Sequence, residues 1–355
     1  MKIIYRYISS TVIKSIILSL LFLTVLRLVF LLLDDLPNIG RGSYNFLDAL
    51  IHLVLNTPNF LSQYFPMAAL IGTITGLGLL ATSSELLVIR ASGVSIKSIL
   101  GAVMVAVLPL VIVIFLLGEF VSPISIQFAQ QQRSLAISGG QVIRSKSGVW
   151  ARDDNDFIHI GRANPNGKIE NIEHFRFEST FKLTAILKAE KGEYLGKGQW
   201  KLYQVKLSHF SATELSSENL DDYLWQSQLT PENIGVVGAS PDGLGLIELW
   251  TFANYLDLNK LDSRSYRLAF WRSILQPLVI IVMLMIGASF VFGSVRQVAI
   301  GTRIMVGVLF GLAFYVINEV LGNMAVVYQF TPFWGAMLPL VVFSLTAAYR
   351  LKKIR

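Results

Sequence analysis

Six apolar runs, in two groups of three, flank a long polar segment in the middle of the chain. A helix rising 1.5 Å per residue needs about 20 apolar residues to cross roughly 30 Å of hydrocarbon, and each run is long enough. The first group predicts spans near Thr11–Leu33, Pro58–Ala81 and Ile99–Val121. The second predicts spans near Ala269–Phe292, Ile304–Val327 and Phe333–Tyr349. The stretch Phe46–Asn56 is apolar but too short to span, and Thr57-Pro58 predicts a break before the second span, which leaves that stretch at the interface.

Between the groups the period changes. Gln141–Arg152, Phe157–Arg162, Ile169–Phe177 and Leu183–Ala189 read as short strands, followed by Lys191–Phe210 with alternation in Trp200–Leu207. Asn164-Pro165-Asn166-Gly167 and Gly196-Lys197-Gly198 supply turn chemistry. Antiparallel strands at this spacing predict a β-sandwich or jelly roll, joined to the third and fourth spans by helical stalks near Ile124–Ala136 and Leu246–Arg267. The chain thus divides into residues 1–121, 122–262 and 263–355.

Charge orients this layout. Lys2, Arg6, Arg90, Lys97, Arg296, Arg303, Arg350, Lys352, Lys353 and Arg355 flank the spans on one side, whereas the other side has Asp34, Asp35 and Arg41 in its first loop and no charge in its last. Cations accumulate on the cytoplasmic side of short loops, so both termini are expected in the cytoplasm and the β insert outside it. Residues 122–262 hold 14 Lys/Arg and 17 Asp/Glu, so the formal net charge of +7 comes entirely from the apolar parts. Those cations read as topology anchors rather than as a nucleic-acid surface.

Composition agrees, with 53% hydrophobic and 15% charged residues, a balance shifted from soluble domains toward membrane. There is no cysteine, which excludes disulfides, thiolate metal sites and a cysteine nucleophile. The N-terminal apolar run has no small-x-small cleavage pattern and is expected to stay as the first helix.

Candidate chemistry is sparse. No phosphate-binding G-x-x-x-x-G-K-[ST] loop, H-E-x-x-H or G-x-S-x-G occurs, so no cofactor or nucleotide site is expected within the chain. His159, His174 and His209 share the β segment without ligand spacing, and scattered histidines of this kind are mostly surface residues. Ser10 and Lys14, one turn apart, suit an interfacial lysine better than a nucleophile and base. Ionisable groups within spans are costly and therefore informative: Arg27 faces either a cavity or the outer interface, and Glu319 is either a satisfied structural carboxylate or a substrate contact. Glu119 closes the third span at the interface.

Between spans two and three, Ser83 or Ser84 can cap a short helix ending at Gly93, with Glu85 in its first turn and Arg90 near its end, both favoured by the helix dipole. Such a helix on the inner face is either a connector or a lever for a separate ATPase. Gly72, Gly76 and Gly78 lie in the second span, and Gly307-x-x-x-Gly311 in the fifth predicts close approach of two helix backbones.

Several motifs together are specific: Gly42-Ser43-Tyr44, Phe65-Pro66-Met67-Ala68-Ala69-Leu70, Ser84-Glu85-Leu86 running to Ala91-Ser92-Gly93, Leu229-Thr230-Pro231 with Gly235-Val236-Val237, Gln276-Pro277-Leu278, Phe290-Val291-Phe292-Gly293 and Phe314-Tyr315-Val316. Over essentially its whole length the chain resembles the YjgP/YjgQ permeases, the LptF/LptG family of the lipopolysaccharide export transporter. The resemblance implies an inner-membrane permease subunit paired with a homologous LptF-like subunit around a cavity opening between first and fifth helices. It also implies a cytoplasmic LptB-like ATPase dimer below, a single-helix LptC-like subunit beside the first span, and a periplasmic jelly roll handing lipopolysaccharide to an LptA-like bridge.

On that resemblance Glu85 matches the acidic residue of the family's coupling helix, set among Ser84, Leu86, Arg90 and Gly93. The family carries lysines near the outer end of the first helix, where this chain has Leu31, Pro37 and Asn38. Arg27 and Arg41 lie close to those positions, and Arg133 matches a basic position after the third span. Guanidinium suits phosphate through bidentate hydrogen bonds, so these three, with Tyr315 and Glu319 on the fifth span, form the expected substrate set. The sequence thus predicts an α-helical membrane protein with a β insert, a non-catalytic permease subunit driven by a partner ATPase. Two other readings remain open at this point: an enzyme acting on lipid headgroups around Glu319, and an anchor for an envelope bridge.

Overall fold

The computed structural model describes residues 2–137, 149–153, 156–164, 168–178, 182–210, 215–227, 229, 231, 241–292 and 300–353. It forms two compact units, Met1–Ala136 with Arg264–Arg355, and Ile137–Ser263.

Among the described residues of the first unit six helical segments are long and apolar enough to cross a membrane, as the hydrophobic pattern predicts. They are built from α1 (Lys2–Asp35), α2 (Phe46–Thr82), α4 (Ile96–Leu116) continuing into α5 (Ser122–Ile137), α7 (Arg264–Phe292), α8 (Ile300–Val327) and α9 (Pro332–Lys353), with the short α3 (Glu85–Ala91) between α2 and α4. The second and fourth spans form the interior. In their most apolar windows 67% and 56% of residues are buried, against 17% in the first span and 11% in the fifth. The first and fifth spans therefore offer most of their apolar surface to lipid or to another chain.

The expected break at Thr57-Pro58 is absent, because α2 runs unbroken through Pro58 and Pro66. Proline removes the backbone donor that would bond Val54 O, and the turn before it carries two further side-chain bonds: Thr57 Oγ1 donates to Leu53 O at 3.0 Å and Asn56 Nδ2 to His52 O at 2.7 Å. Phe46–Asn56 is thus the first part of the second span's helix and not a separate interfacial segment. Asn45 caps it, accepting from the backbone N–H groups of Leu47 and Asp48.

The first stalk is not a separate element either. α4 passes through a π-helical turn at Leu117–Val121 directly into α5. Gly118 in that turn faces Ser62 of α2 so closely that a Cβ would lie 2.3 Å from its hydroxyl oxygen. Gln276 of α7 donates its amide to the Ser62 carbonyl at 2.8 Å and hydroxyl at 3.0 Å. Spans two, three and four thus meet at one polar knot inside an apolar interior, where an unpaired amide would be costly.

Glycine sets the other close approach, though not where Gly307-x-x-x-Gly311 predicts it. A Cβ on Gly72 would lie 2.4 Å from Ile16 Cα, and one on Gly76 2.8 Å from Val12 Cα, so α2 lies against the backbone of α1. Gly307 and Gly311 instead make room for the side chains of Ile74 and Met67.

The second unit holds strands β1 (Val149–Asp153), β2 (Asp156–Asn164), β3 (Lys168–Phe177), β4 (Leu183–Gly196), β5 (Gln199–Phe210) and β6 (Leu215–Gln226). All neighbours pair antiparallel in sequential order, and no crossover occurs among the described strands. The β-rich insert is as the pattern predicts, and its pairing is this meander. Lys191–Phe210 divides at the Lys197-Gly198 turn into parts of β4 and β5, and β6 has no counterpart in the sequence expectation. Residues 141–148 of the expected first strand, 165–167 of the expected turn, and Thr230, Gly235, Val236, Val237, Gly293 and Arg296 lie outside the described residues.

Inward alternation in β5 uses Trp200 and Leu202, then Val205 and Leu207, so the phase slips by one residue at Gln204. Gln204 has φ +54°, as does Asn171 on β3, where the inward set shifts from Ile169 to Ile172. A left-handed residue lets a strand turn over without leaving its ladder, which keeps both halves facing one core.

α6 (Leu246–Leu258) also belongs to this unit, and the expected second stalk is broken after it. Lys260 at φ +55° and the Leu261 N–H to Leu256 O bond of 2.8 Å close α6, and α7 starts afresh at Arg264.

Under the sheet, His174 is 3% exposed, with Nε2 2.7 Å from Asp156 Oδ2 and its ring 5.4 Å from that of Trp225. Burial holds the imidazole below the usual histidine range against the opposing pull of Asp156. The folded unit therefore disfavours the proton that the unfolded chain takes up near pH 6.5. Stability is full above about pH 6.5 and falls as pH drops below it. Thermal unfolding of the full chain, followed by tryptophan fluorescence between about pH 7.5 and pH 5.5, should show this loss, and His174→Gln should flatten it.

Candidate functional site

The expected site residues fall at the two ends of the first unit and between them. At one end, α2 stops at Thr82 and the chain reverses into α3 through Ser84 at φ +62°. That conformation costs a non-glycine residue roughly 1–2 kcal/mol. Neither serine caps α3 as expected: Ser84 makes no side-chain capping bond, and Ser83 Oγ donates back to Leu79 O at 3.2 Å. The reversal is made by the backbone instead, with Leu87 and Val88 N–H both bonding Ser84 O.

Leu86 anchors α3, 5% exposed in a cluster with Ile8, Val94, Ile99 and Phe292. Glu85 lies near the Tyr7 hydroxyl of α1. Leu87 and Val88 turn outward, 49% and 66% exposed, with Arg90 exposed beside them. Gly93 closes the segment at φ +92°, its N–H 3.0 Å from Arg90 O. The result is a short surface helix anchored by Leu86, presenting two aliphatic side chains and an arginine.

At the opposite end, Asp35 terminates α1 with 1% exposure. Its carboxylate takes Arg133 Nε of α5 at 2.9 Å, Tyr44 hydroxyl at 3.2 Å and lies 2.5 Å from His52 Nδ1 of α2. Burial first, then the Asp35 carboxylate, pushes the Tyr44 phenol up to about 12, so Tyr44 stays a donor. Arg41 extends from the same loop and donates to Asn38 Oδ1 at 3.3 Å. Arg133 thus has a carboxylate partner within the chain, and Arg41 stands exposed. Removing one member of a buried pair leaves the other unpaired. With Arg133 about one-third exposed, Asp35→Asn is expected to cost about 1–3 kcal/mol, read as a lowered unfolding temperature of the purified chain.

Between the ends, Arg27 lies 4.9 Å from the Phe60 ring centroid, 3.9 Å from Asp34 and near Tyr64. Tyr315 of α8 lies in the neighbourhood of Tyr64. Glu319, one turn beyond Tyr315, pairs with Arg272 of α7 at 3.1 Å, and Arg272 also donates to Asn318 O at 2.6 Å. Gly322 leaves the space that the Arg272 guanidinium occupies. Arg27 and Tyr315 thus both lie near Tyr64, while Glu319 is held in an ion pair.

Sequence reasoning missed Asp35, His52, Tyr64 and Arg272. The signal for Arg272 was present: opposite charges inside two spans, Arg272 in the fourth and Glu319 in the fifth, invite pairing. Asp35 was read only as a loop charge, because its partners come from three separate stretches of chain. Among the described residues no group of histidine, aspartate and glutamate is placed to hold a metal ion.

A sequence model described as "Lipopolysaccharide export system permease LptF/LptG" matches residues 6–353. The lipopolysaccharide export system permease protein LptG of Haemophilus influenzae is 34% identical over 351 residues, covering 99% of this chain and 98% of that protein. The LptG protein of Escherichia coli K12 is 33% identical over 350 residues, covering 98% and 97%.

Proposed function

Because the chain belongs to the LptF/LptG family of lipopolysaccharide export permeases, it is a permease subunit of the inner membrane, and we propose that it withdraws lipopolysaccharide from that membrane using ATP hydrolysed by a separate ATPase docked on α3. The observation that carries this is α3 itself. It is a surface helix between two spans whose outward residues, Leu87, Val88 and Arg90, are covered by no element among the described residues. Leu86 couples it to the ends of α1, α4 and α7, so a push on α3 reaches three spans.

In this reading both termini and α3 are cytoplasmic, the Asp35 end is periplasmic, and the β unit passes lipid to a periplasmic bridge. Charge supports the orientation, since Lys97, Arg350, Lys352 and Lys353 belong to the α3 end. The little-buried α1 and α8 would face a second, homologous permease and, beside α1, a single-helix subunit, closing an apolar cavity for acyl chains. Arg27, Tyr315, Arg41 and Arg133 would form the rim that holds lipid phosphates, with Glu319 fixing Arg272 beside it.

A triple variant Arg27→Ala, Arg41→Ala, Arg133→Ala, assembled with its partner subunits, tests the rim. Lipopolysaccharide-stimulated ATP hydrolysis should fall at least tenfold while the unstimulated rate holds. Unchanged stimulation would remove these arginines from the substrate path.

A further inference from the structure

A groove of about 760 Å³ runs between α1 and α4 at the α3 end of the first unit. Its lining is mainly apolar, and its charged members are Arg6 and Lys14, two turns apart on α1. No carboxylate lines it, and neither cation forms an ion pair among the described residues. The floor is already satisfied: Tyr5 hydroxyl and Ser98 Oγ bond each other at 2.6 Å, and Ser9 Oγ donates to Ala102 O at 3.2 Å. Those bonds fasten α1 to α4, so the groove is a fixed feature of the helix pair. Gly101 opens its wall, since a Cβ there would meet nothing within 4 Å.

We propose that this groove holds an anionic glycerophospholipid, its phosphate between Arg6 and Lys14 and an acyl chain along Ile13, Val105 and Ala106. A basic pocket between spans at the membrane surface suits a lipid phosphate, and the apolar wall below suits its chain. Ser10, between the two cations on the same helix, adds a hydroxyl donor. The site is separate from the rim proposed for the cargo, which lies toward the Asp35 end. Its occupant would seat α1 against α4 at the end where α3 receives force.

The test is native mass spectrometry of the full-length chain in detergent, supplied with equal phosphatidylglycerol and phosphatidylcholine. It depends neither on an ATPase nor on sidedness. The wild-type chain should retain phosphatidylglycerol preferentially. Arg6→Gln with Lys14→Gln should cut that preference about thirtyfold, each cation near an anionic surface contributing roughly fivefold. Gly101→Leu, which fills the groove where there is open space, should abolish retention while the unfolding temperature holds.

Equal retention of both lipids would overturn the proposal, as would indifference to all three substitutions. Displacement by inorganic phosphate alone would show a simple anion site, and preferential retention of lipopolysaccharide a cargo site. Loss of the bound lipid on assembly with the second permease and single-helix subunit would show a partner helix as the occupant. Each of these three also contradicts it.

Discussion

Replacing Gly72 with leucine should leave little folded chain. Its Cβ alone would sit 2.4 Å from the Cα and 2.6 Å from the backbone nitrogen of Ile16, and backbone, unlike a flexible side-chain end, has nowhere to retreat. Overpacking a filled interior costs about 1–3 kcal/mol when side chains can adjust, and here whole helices must part. The damage would spread, because Ile8, Val12 and Ile16 are fully buried in the cluster that also holds Leu77, Leu86 and Ala288. We expect loss of more than about 3 kcal/mol, seen as low yield of monodisperse chain in detergent and an early unfolding transition. Gly101→Leu is the matched control. It makes the same change in chemistry at a site with open space, and should unfold close to the wild-type temperature.

The second large effect concerns function and not folding. Glu85→Lys and, independently, Val88→Asp should abolish coupling to the ATPase. Glu85 is half-buried at the start of a surface helix whose buried anchor is Leu86, so its replacement disturbs little packing. Val88 is 66% exposed, and surface substitutions away from special features usually stay within about 0.5 kcal/mol. At a docking face the same changes are severe. Reversing a charge or desolvating a carboxylate in an interface costs roughly 2–5 kcal/mol, a thirtyfold loss or more. The expected result is a chain that extracts from membranes and unfolds like wild type yet retains at most a few per cent of the partner ATPase. If both variants bind the ATPase normally, α3 is a connector and not a lever.

Six spans were legible in the chain because hydrocarbon imposes length and apolarity, and no folding detail can relax either demand. Their interior geometry was less so. The helix runs on through Pro58, where one missing backbone donor costs less than ending a span, which a proline rule overlooks. Gly72 and Gly76 also have the G-x-x-x-G spacing, but one chain alone does not say which such pair meets backbone and which meets side chain. In the sheet, the slip at Gln204 is written in the spacing of Trp200, Leu202, Val205 and Leu207, whose apolar period jumps by one residue. β6 escaped notice because Leu215–Gln226 is rich in serine and acid and gains its place by pairing with β5. The site followed the same division. Glu85 stood out by its position in a short capped-looking helix, whereas Asp35 acquires meaning only when α1, α2, α5 and the Tyr44 loop converge on it.

We propose that this chain moves lipopolysaccharide by force received from another protein at α3. This is tested most directly by solubilising membranes in which the tagged chain is expressed with its partners and identifying proteins and lipids that elute together. The account predicts that a second homologous permease, a cytoplasmic ATPase and lipopolysaccharide coelute, and that Val88→Asp removes the ATPase alone. Lipid-modifying turnover by the isolated chain, or full ATPase recovery with Val88→Asp, would contradict it.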